Sequence, residues 1–133
     1  MRKKVFCDTQ ALVFWALDRS RLSPAAQQAI EEGAEQGTLA CADISLWEIA
    51  MLCAKGRITA PLGQGEWLKD IVTALRLEVV AINPEIAVLA QASFFQQGDP
   101  ADQLIGATAL HHHAPLITSD AKLRAILELE TIW

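Results

Sequence analysis

The sequence predicts an α/β fold of three layers, α/β/α, with a short, mostly parallel central sheet and a single domain over residues 1–133. Three observations lead there. Short strand-like segments alternate with longer helical ones along the whole chain. The strand segments lie too far apart to pair as hairpins, so crossovers must join them. Three helices open with a capping residue directly before proline, at Ser23-Pro24, Asn83-Pro84 and Asp99-Pro100.

Residues 4–7 read as a buried strand ending at Asp8, and residues 11–17 are too long and too apolar for a loop and read as helix. The run from Ser23-Pro24 to Glu35 is rich in Ala, Gln and Glu, and Gly37 closes that helix. Residues 38–42 form a second strand. Ser45-Leu46-Trp47-Glu48 has the spacing of a capping box, which opens a helix to Lys55 with Gly56 as its stop. A helix from Leu62 or Gly63 to Leu75 precedes residues 78–82, the clearest strand by β-branched content. Asn83-Pro84 starts a helix to about Gln96, and Asp99 caps another that continues through Leu110. Residues 115–118 are a fourth strand, Ser119 or Asp120 caps a last helix over 122–127, and residues 130–133 are a candidate terminal strand.

A chain of 133 residues with 52% apolar and 20% charged residues has the size and composition of one globular domain. Its formal net charge of −5 argues against a broad basic surface for nucleic acid, so contact with phosphate must be local. Cys7, Cys41 and Cys53 stand apart in apolar segments, the pattern of reduced, buried thiols in a cytoplasmic protein. The basic start, Met1 to Lys4, meets Asp8 before any apolar h-region develops, and no stretch approaches the ~20 apolar residues of a membrane span.

Four acids, Asp8, Glu48, Asp102 and Asp120, stand where a strand gives way to a helix or a helix begins. Each has a local excuse as a cap or a first-turn acid; Asp8 has the least, because it directly follows a buried apolar strand. Right-handed βαβ connections place all strand C-termini of a parallel sheet on one edge, where ligands bind. Carboxylates about 4 Å apart repel by roughly 4 kcal/mol per pair at an effective dielectric near 20, a cost seldom carried without a cation. With oxygen ligands and no clustered Cys or His, that cation is a hard one, Mg²⁺ or Mn²⁺. The chemistry expected is metal-assisted hydrolysis of a phosphodiester, with Asp102 or Asp120 orienting the water or taking its proton.

Four segments carry a family resemblance: Phe6-Cys7-Asp8-Thr9-Gln10-Ala11-Leu12; Ser45-Leu46-Trp47-Glu48-Ile49-Ala50 with Lys55-Gly56-Arg57-Ile58 behind it; Asp99-Pro100-Ala101-Asp102-Gln103-Leu104-Ile105-Gly106-Ala107-Thr108-Ala109; and Leu116-Ile117-Thr118-Ser119-Asp120. In order and spacing they strongly resemble the PIN-domain ribonucleases, and within them the VapC toxins of bacterial toxin–antitoxin pairs. The resemblance implies metal ligands at Asp8, Glu48, Asp102 and Asp120, with Asp99 in the outer shell. It also implies a Mg²⁺- or Mn²⁺-dependent endoribonuclease acting on structured RNA such as tRNA or rRNA, a homodimer, and a VapB-like antitoxin that occludes the site. The chain departs from the family pattern at Gln10 and near Gln97, where relatives often carry His, and at Gln103, where they often carry Arg.

Lys55 and Arg57, with Arg19 and Arg21, are the candidate positive rim for RNA, against the plainer reading of solvated charges at helix ends. Consecutive helical residues point about 100° apart, so His111-His112-His113 cannot converge on one ion and reads as a helix C-terminus. Trp15 and Trp47 read as core or interface residues. A receiver or haloacid-phosphatase-like site would want an acid two residues after Asp8, where Gln10 stands. The alternative of another class is a PIN-fold module that binds protein or RNA without cleaving; the presence of all four acids disfavours it.

Overall fold

A computed structural model describes residues 3–133; Met1 and Arg2, half of the basic start, lie outside them. Five strands form one all-parallel sheet: β1 (Val5–Cys7), β2 (Leu39–Ala42), β3 (Glu78–Val80), β4 (Leu116–Ile117) and β5 (Thr131–Ile132). Their order is β3-β2-β1-β4-β5. The helices are α1 (Thr9–Leu17), α2 (Pro24–Gln36), α3 (Asp43–Ala54), α4 (Gln64–Ala74), α5 (Pro84–Leu89), α6 (Pro100–His111) and α7 (Ala121–Arg124). The expected mostly parallel α/β arrangement is therefore the one observed.

The inner strands β1, β2 and β4 are apolar throughout because both faces of the sheet are covered there, whereas the edge strands β3 and β5 carry Glu78 and Thr131. Successive side chains point to opposite faces. Cys7, Cys41 and Ile117 enter a core with Leu12, Ile30, Trp67 and Ile71, from α1, α2 and α4. Phe6, Ala40, Ala42 and Leu116 enter another with Ile86 and Ile105, from α5 and α6. β1 pairs with β2 on one side, Val5 opposite Leu39, and with β4 on the other, Phe6 opposite Leu116. The crossover from β1 runs to β2 on one side and the one from β3 returns to β4 on the other, so the strand order reverses at β1 and a crevice opens at its C-terminal end.

Several elements differ from the sequence expectation. Ser45 does not cap: β2 runs into α3 without a loop, Ala42 holds the cap position, and Ser45 is fully buried inside the helix. The capping-box reading of Glu48 falls with it. The strand expected over 78–82 ends at Val80, and the Ile82 amide leaves the sheet to donate to Asp43 Oδ2 at 3.2 Å. The helix expected from Pro84 to about Gln96 stops at Leu89, and a 3-10 turn at Ser93–Phe95 follows, turning the Phe95 ring into the core. The last helix is one turn long, with Leu127 beyond it 98% exposed and so without packing to extend it. Cys7 and Cys41 are buried as expected, but Cys53 is only partly so.

Gly106 on α6 marks the tightest approach between elements. A Cβ there would lie 2.5 Å from Phe95 Cε1 and 3.2 Å from Leu123 Cδ2. Alanine normally favours a helix interior over glycine by about 1 kcal/mol. Here overpacking against a buried ring outweighs that gain, so Gly106→Ala is expected to lose about 1–2 kcal/mol of stability in urea unfolding.

Candidate active site

The end of β1 delivers Asp8 into the crevice. Its amide donates to Ile117 O at 3.1 Å, continuing the pairing with β4. Its carboxylate caps α1, Oδ1 accepting from the Ala11 amide at 2.8 Å, and the residue is only 5% exposed. Asp120 caps α7 in the same way, Oδ2 accepting from the Leu123 amide at 2.9 Å, while its own amide donates to Thr118 Oγ1 at 3.1 Å. Asp102 lies in the first turn of α6, its amide donating to the capping Asp99 Oδ1 at 2.9 Å. Glu48 projects from α3, where the Thr9 hydroxyl donates to its carboxylate and also lies 3.1 Å from Ser45 Oγ.

Asp8, Glu48, Asp102 and Asp120 line one cavity of about 350 Å³, with Thr9, Gln10, Arg21 and Arg57 and an apolar side of Val13, Phe14, Leu52 and Ile58. Burial first, and then the neighbouring charges of Asp99, Asp120, Glu48 and Asp8, together push the Asp102 carboxyl up to about 7. Asp8 is raised to about 6, mainly by burial and also by Asp120 and Glu48, against the Thr118 hydroxyl and the Ala11 amide, which favour its charged form. Glu48 is raised by burial and by Asp99, opposed by the Thr9 hydroxyl. All of these are oxygen donors, the set that hard divalent cations take. Among the described residues no three His, Cys, Asp or Glu side chains close into a tight metal cage. The acids stand around the cavity instead.

The other sequence-marked residues divide. Asp99 is not in the cavity wall; it caps α6 and acts on Asp102 and Glu48 through its charge. Of the four rim cations, Arg21 and Arg57 line the cavity. Arg19 does not: its guanidinium lies 4.4 Å from the Trp15 ring centroid and its Nε donates to Trp15 O at 3.0 Å. Lys55 is the exposed residue closing α3 and does not reach the wall. Gln10 does, its Oε1 accepting from Ser119 Oγ at 3.3 Å, whereas Gln103 bonds the Gly98 carbonyl at 3.4 Å and Gln97 lies in a separate pocket with Phe94 and Lys122. His111 ends α6 beside Asn83, and His112 packs against Phe6 with ring centroids 5.6 Å apart. Trp15 sits at the edge of the core and Trp47 is 59% exposed. Sequence reasoning passed over the hydroxyls of Thr9 and Thr118 and the apolar side of the cavity. The threonines had a signal: one directly follows Asp8 and the other stands two residues before Asp120.

In the metal-free chain these raised values link stability to pH. The folded state binds protons more tightly than the unfolded state, so stability present at about pH 4 is lost as pH rises through the folded values near 6 and 7. For buried Asp8, a rise from 3.8 to about 6 corresponds to about 3 kcal/mol. Asp8→Asn retains a competent cap and removes this charge. In denaturant unfolding with EDTA, the variant is expected to show a flatter pH dependence between pH 5 and 7.5 and higher stability than the parent at pH 7.5.

Comparison with known proteins places this geometry. Residues 5–128 match the family model described as PIN domain. Ribonuclease VapC22 of Mycobacterium tuberculosis is 41% identical over 123 residues, covering 91% of this chain and 90% of that protein. Among solved structures, VapBC2 from Rickettsia felis bound to a DNA fragment from its promoter matches with a TM-score of 0.72, 19% identity and 96% of each chain. The DNA-bound VapBC of Salmonella typhimurium matches with a TM-score of 0.73 and 15% identity over 98% of this chain and 97% of that one, a likeness of fold. The chain belongs to the PIN domain family, on its VapC ribonuclease branch.

Proposed function

We propose that this chain is a Mg²⁺- or Mn²⁺-dependent endoribonuclease toxin that hydrolyses phosphodiester bonds in structured RNA such as tRNA or rRNA. A VapB-like antitoxin holds it in check. The observation that carries the metal is the gathering of four carboxylates around one cavity at the end of β1, where burial and mutual repulsion raise three of them. A cation offsets that repulsion. Acids that stand around a cavity without closing into a tight cage leave room for a small hard ion that keeps part of its water shell and takes one or two carboxylates directly.

Asp8, Glu48, Asp102 and Asp120 would hold the ion, with Asp99 acting from outside. Bound there, it supplies charge neutralisation at a non-bridging phosphate oxygen and makes water a stronger acid. The chain's own groups do the remainder. The Ala11 amide and the Thr118 hydroxyl fix the Asp8 carboxylate, and Thr9 fixes Glu48. Asp102 or Asp120 orients the attacking water and accepts its proton. Arg21 and Arg57 give the phosphate backbone a local positive contact that the net charge of −5 does not provide elsewhere.

The partner readings rest on the company the fold keeps and on exposed apolar surface. Structural neighbours are VapBC complexes from Rickettsia felis and Salmonella typhimurium and a toxin–antitoxin complex from Klebsiella pneumoniae. Exposed Leu17 on α1 and Trp47 on α3 offer apolar area for a homodimer contact.

Total cellular RNA incubated with the purified chain is expected to gain discrete 5′ ends within tRNA or rRNA when Mg²⁺ or Mn²⁺ is present and none with EDTA. Asp8→Asn is expected to remain folded and to lose the ends. No new ends, with metal binding intact, would move the assignment to a non-cleaving binding module. Charge reversal at Arg57 is expected to weaken RNA affinity and lower its salt slope, whereas the same change at Lys55 leaves the slope nearly unchanged.

A further inference from the structure

The acids account for only one side of the cavity. On α1, Gln10, Val13 and Phe14 share a face; on α3, Leu52 stands one turn beyond Glu48. With Ile58 they make an apolar wall that begins about 6 Å along each helix from the acidic end. Two guanidiniums flank it. Arg21 lies 4.3 Å from the Phe14 ring centroid, within cation–π range, which holds it against the wall. Arg57 also lines the cavity, yet among the described residues neither arginine forms an ion pair with any carboxylate. Cations that share an acidic cavity without neutralising it remain available to a ligand.

We propose that this apolar, guanidinium-flanked wall is a subsite for one unstacked nucleobase next to the scissile phosphate. The inference rests on the ribonuclease reading above. A nucleotide presents an anionic group and a flat apolar ring joined by one sugar, and the cavity presents an acidic, cation-holding end and an apolar wall about one helical turn apart. Bases taken out of a helix are held in this way, stacked on aromatic rings or guanidinium planes. A volume of about 350 Å³ is in the range of pockets that take a small ligand such as one nucleotide.

The test uses a short RNA containing a mapped cleavage site and the same RNA with an abasic sugar at each flanking position in turn. For the parent chain, one abasic position is expected to lower kcat/KM on the order of tenfold, in line with the strength of base stacking. In Arg21→Gln, at an exposed position, the ratio of kcat/KM for the intact RNA to that for the abasic RNA should fall close to one, whatever the phosphate contact of Arg21 contributes to both RNAs alike. Equal losses in parent and variant, or no loss at any position, would overturn the subsite. Fluorescence anisotropy with the same RNAs, in Mg²⁺, separates the two readings. Base-dependent binding without cleavage would sink the ribonuclease and leave the subsite standing. Should Arg21→Gln alter affinity for a protein partner but not for either RNA, the wall is a protein contact and the proposal fails.

Discussion

The position of β1 between β2 and β4 is the constraint on which the site depends. A strand paired on both edges and covered on both faces must be apolar, and Val5, Phe6 and Cys7 meet that demand. The first residue past its end is then the first free to be polar, and it enters the crevice where the crossovers part. Asp8 occupies that place under two obligations. It caps α1, which sets the direction in which the helix leaves the sheet, and it keeps a carboxylate facing three others. Capping is how this fold partly offsets the repulsion: backbone amides at the starts of α1 and α7 bond Asp8 and Asp120, with which no cationic side chain among the described residues pairs.

Much of this is legible in the sequence because local signals and tertiary demands agree. The cap-proline pairs at Ser23, Asn83 and Asp99 start helices where expected, Gly37 ends α2 at a φ of 72°, and strand ends lead to Asp8 and Asp120. Where the two disagree, packing wins. Ser45 and Glu48 have capping-box spacing, yet β2 feeds straight into α3, so Ser45 is buried beside Thr9 and Glu48 turns to the cavity. The Ala-rich stretch after Leu89 favours helix, but Phe95 must meet Gly106, and the chain turns to bring it there.

Side-chain destinations were the least legible part of the site. Arg19 and Arg21 are two residues apart and equally basic, yet one lies over Trp15 and the other over Phe14, and only the second reaches the cavity. Lys55 and Arg57 divide likewise, since Lys55 ends α3 while Arg57 lies beyond Gly56, whose φ of 70° redirects the chain. Spacing along a sequence places residues on an element, but a loop with left-handed backbone decides where the next side chains point. The buried hydroxyls of Thr9 and Thr118 show the complementary case. They are small, near the acids in sequence, and they hold charged forms in place without carrying charge.

The order of the strands has a consequence for when the crevice comes into being. Phe6 pairs with Leu116 and Leu116 with Thr131, so the centre of the sheet waits for segments far along the chain. During synthesis, Asp8 and Glu48 leave the ribosome long before Thr118 and Asp120, and half a pocket has neither its full set of carboxylates nor the strand that fixes Asp8. A chain without its last two strands therefore lacks a complete carboxylate cavity. Completion of the cavity is thus tied to the closing of the sheet by β4 and β5, so the strands that finish the fold also finish the site.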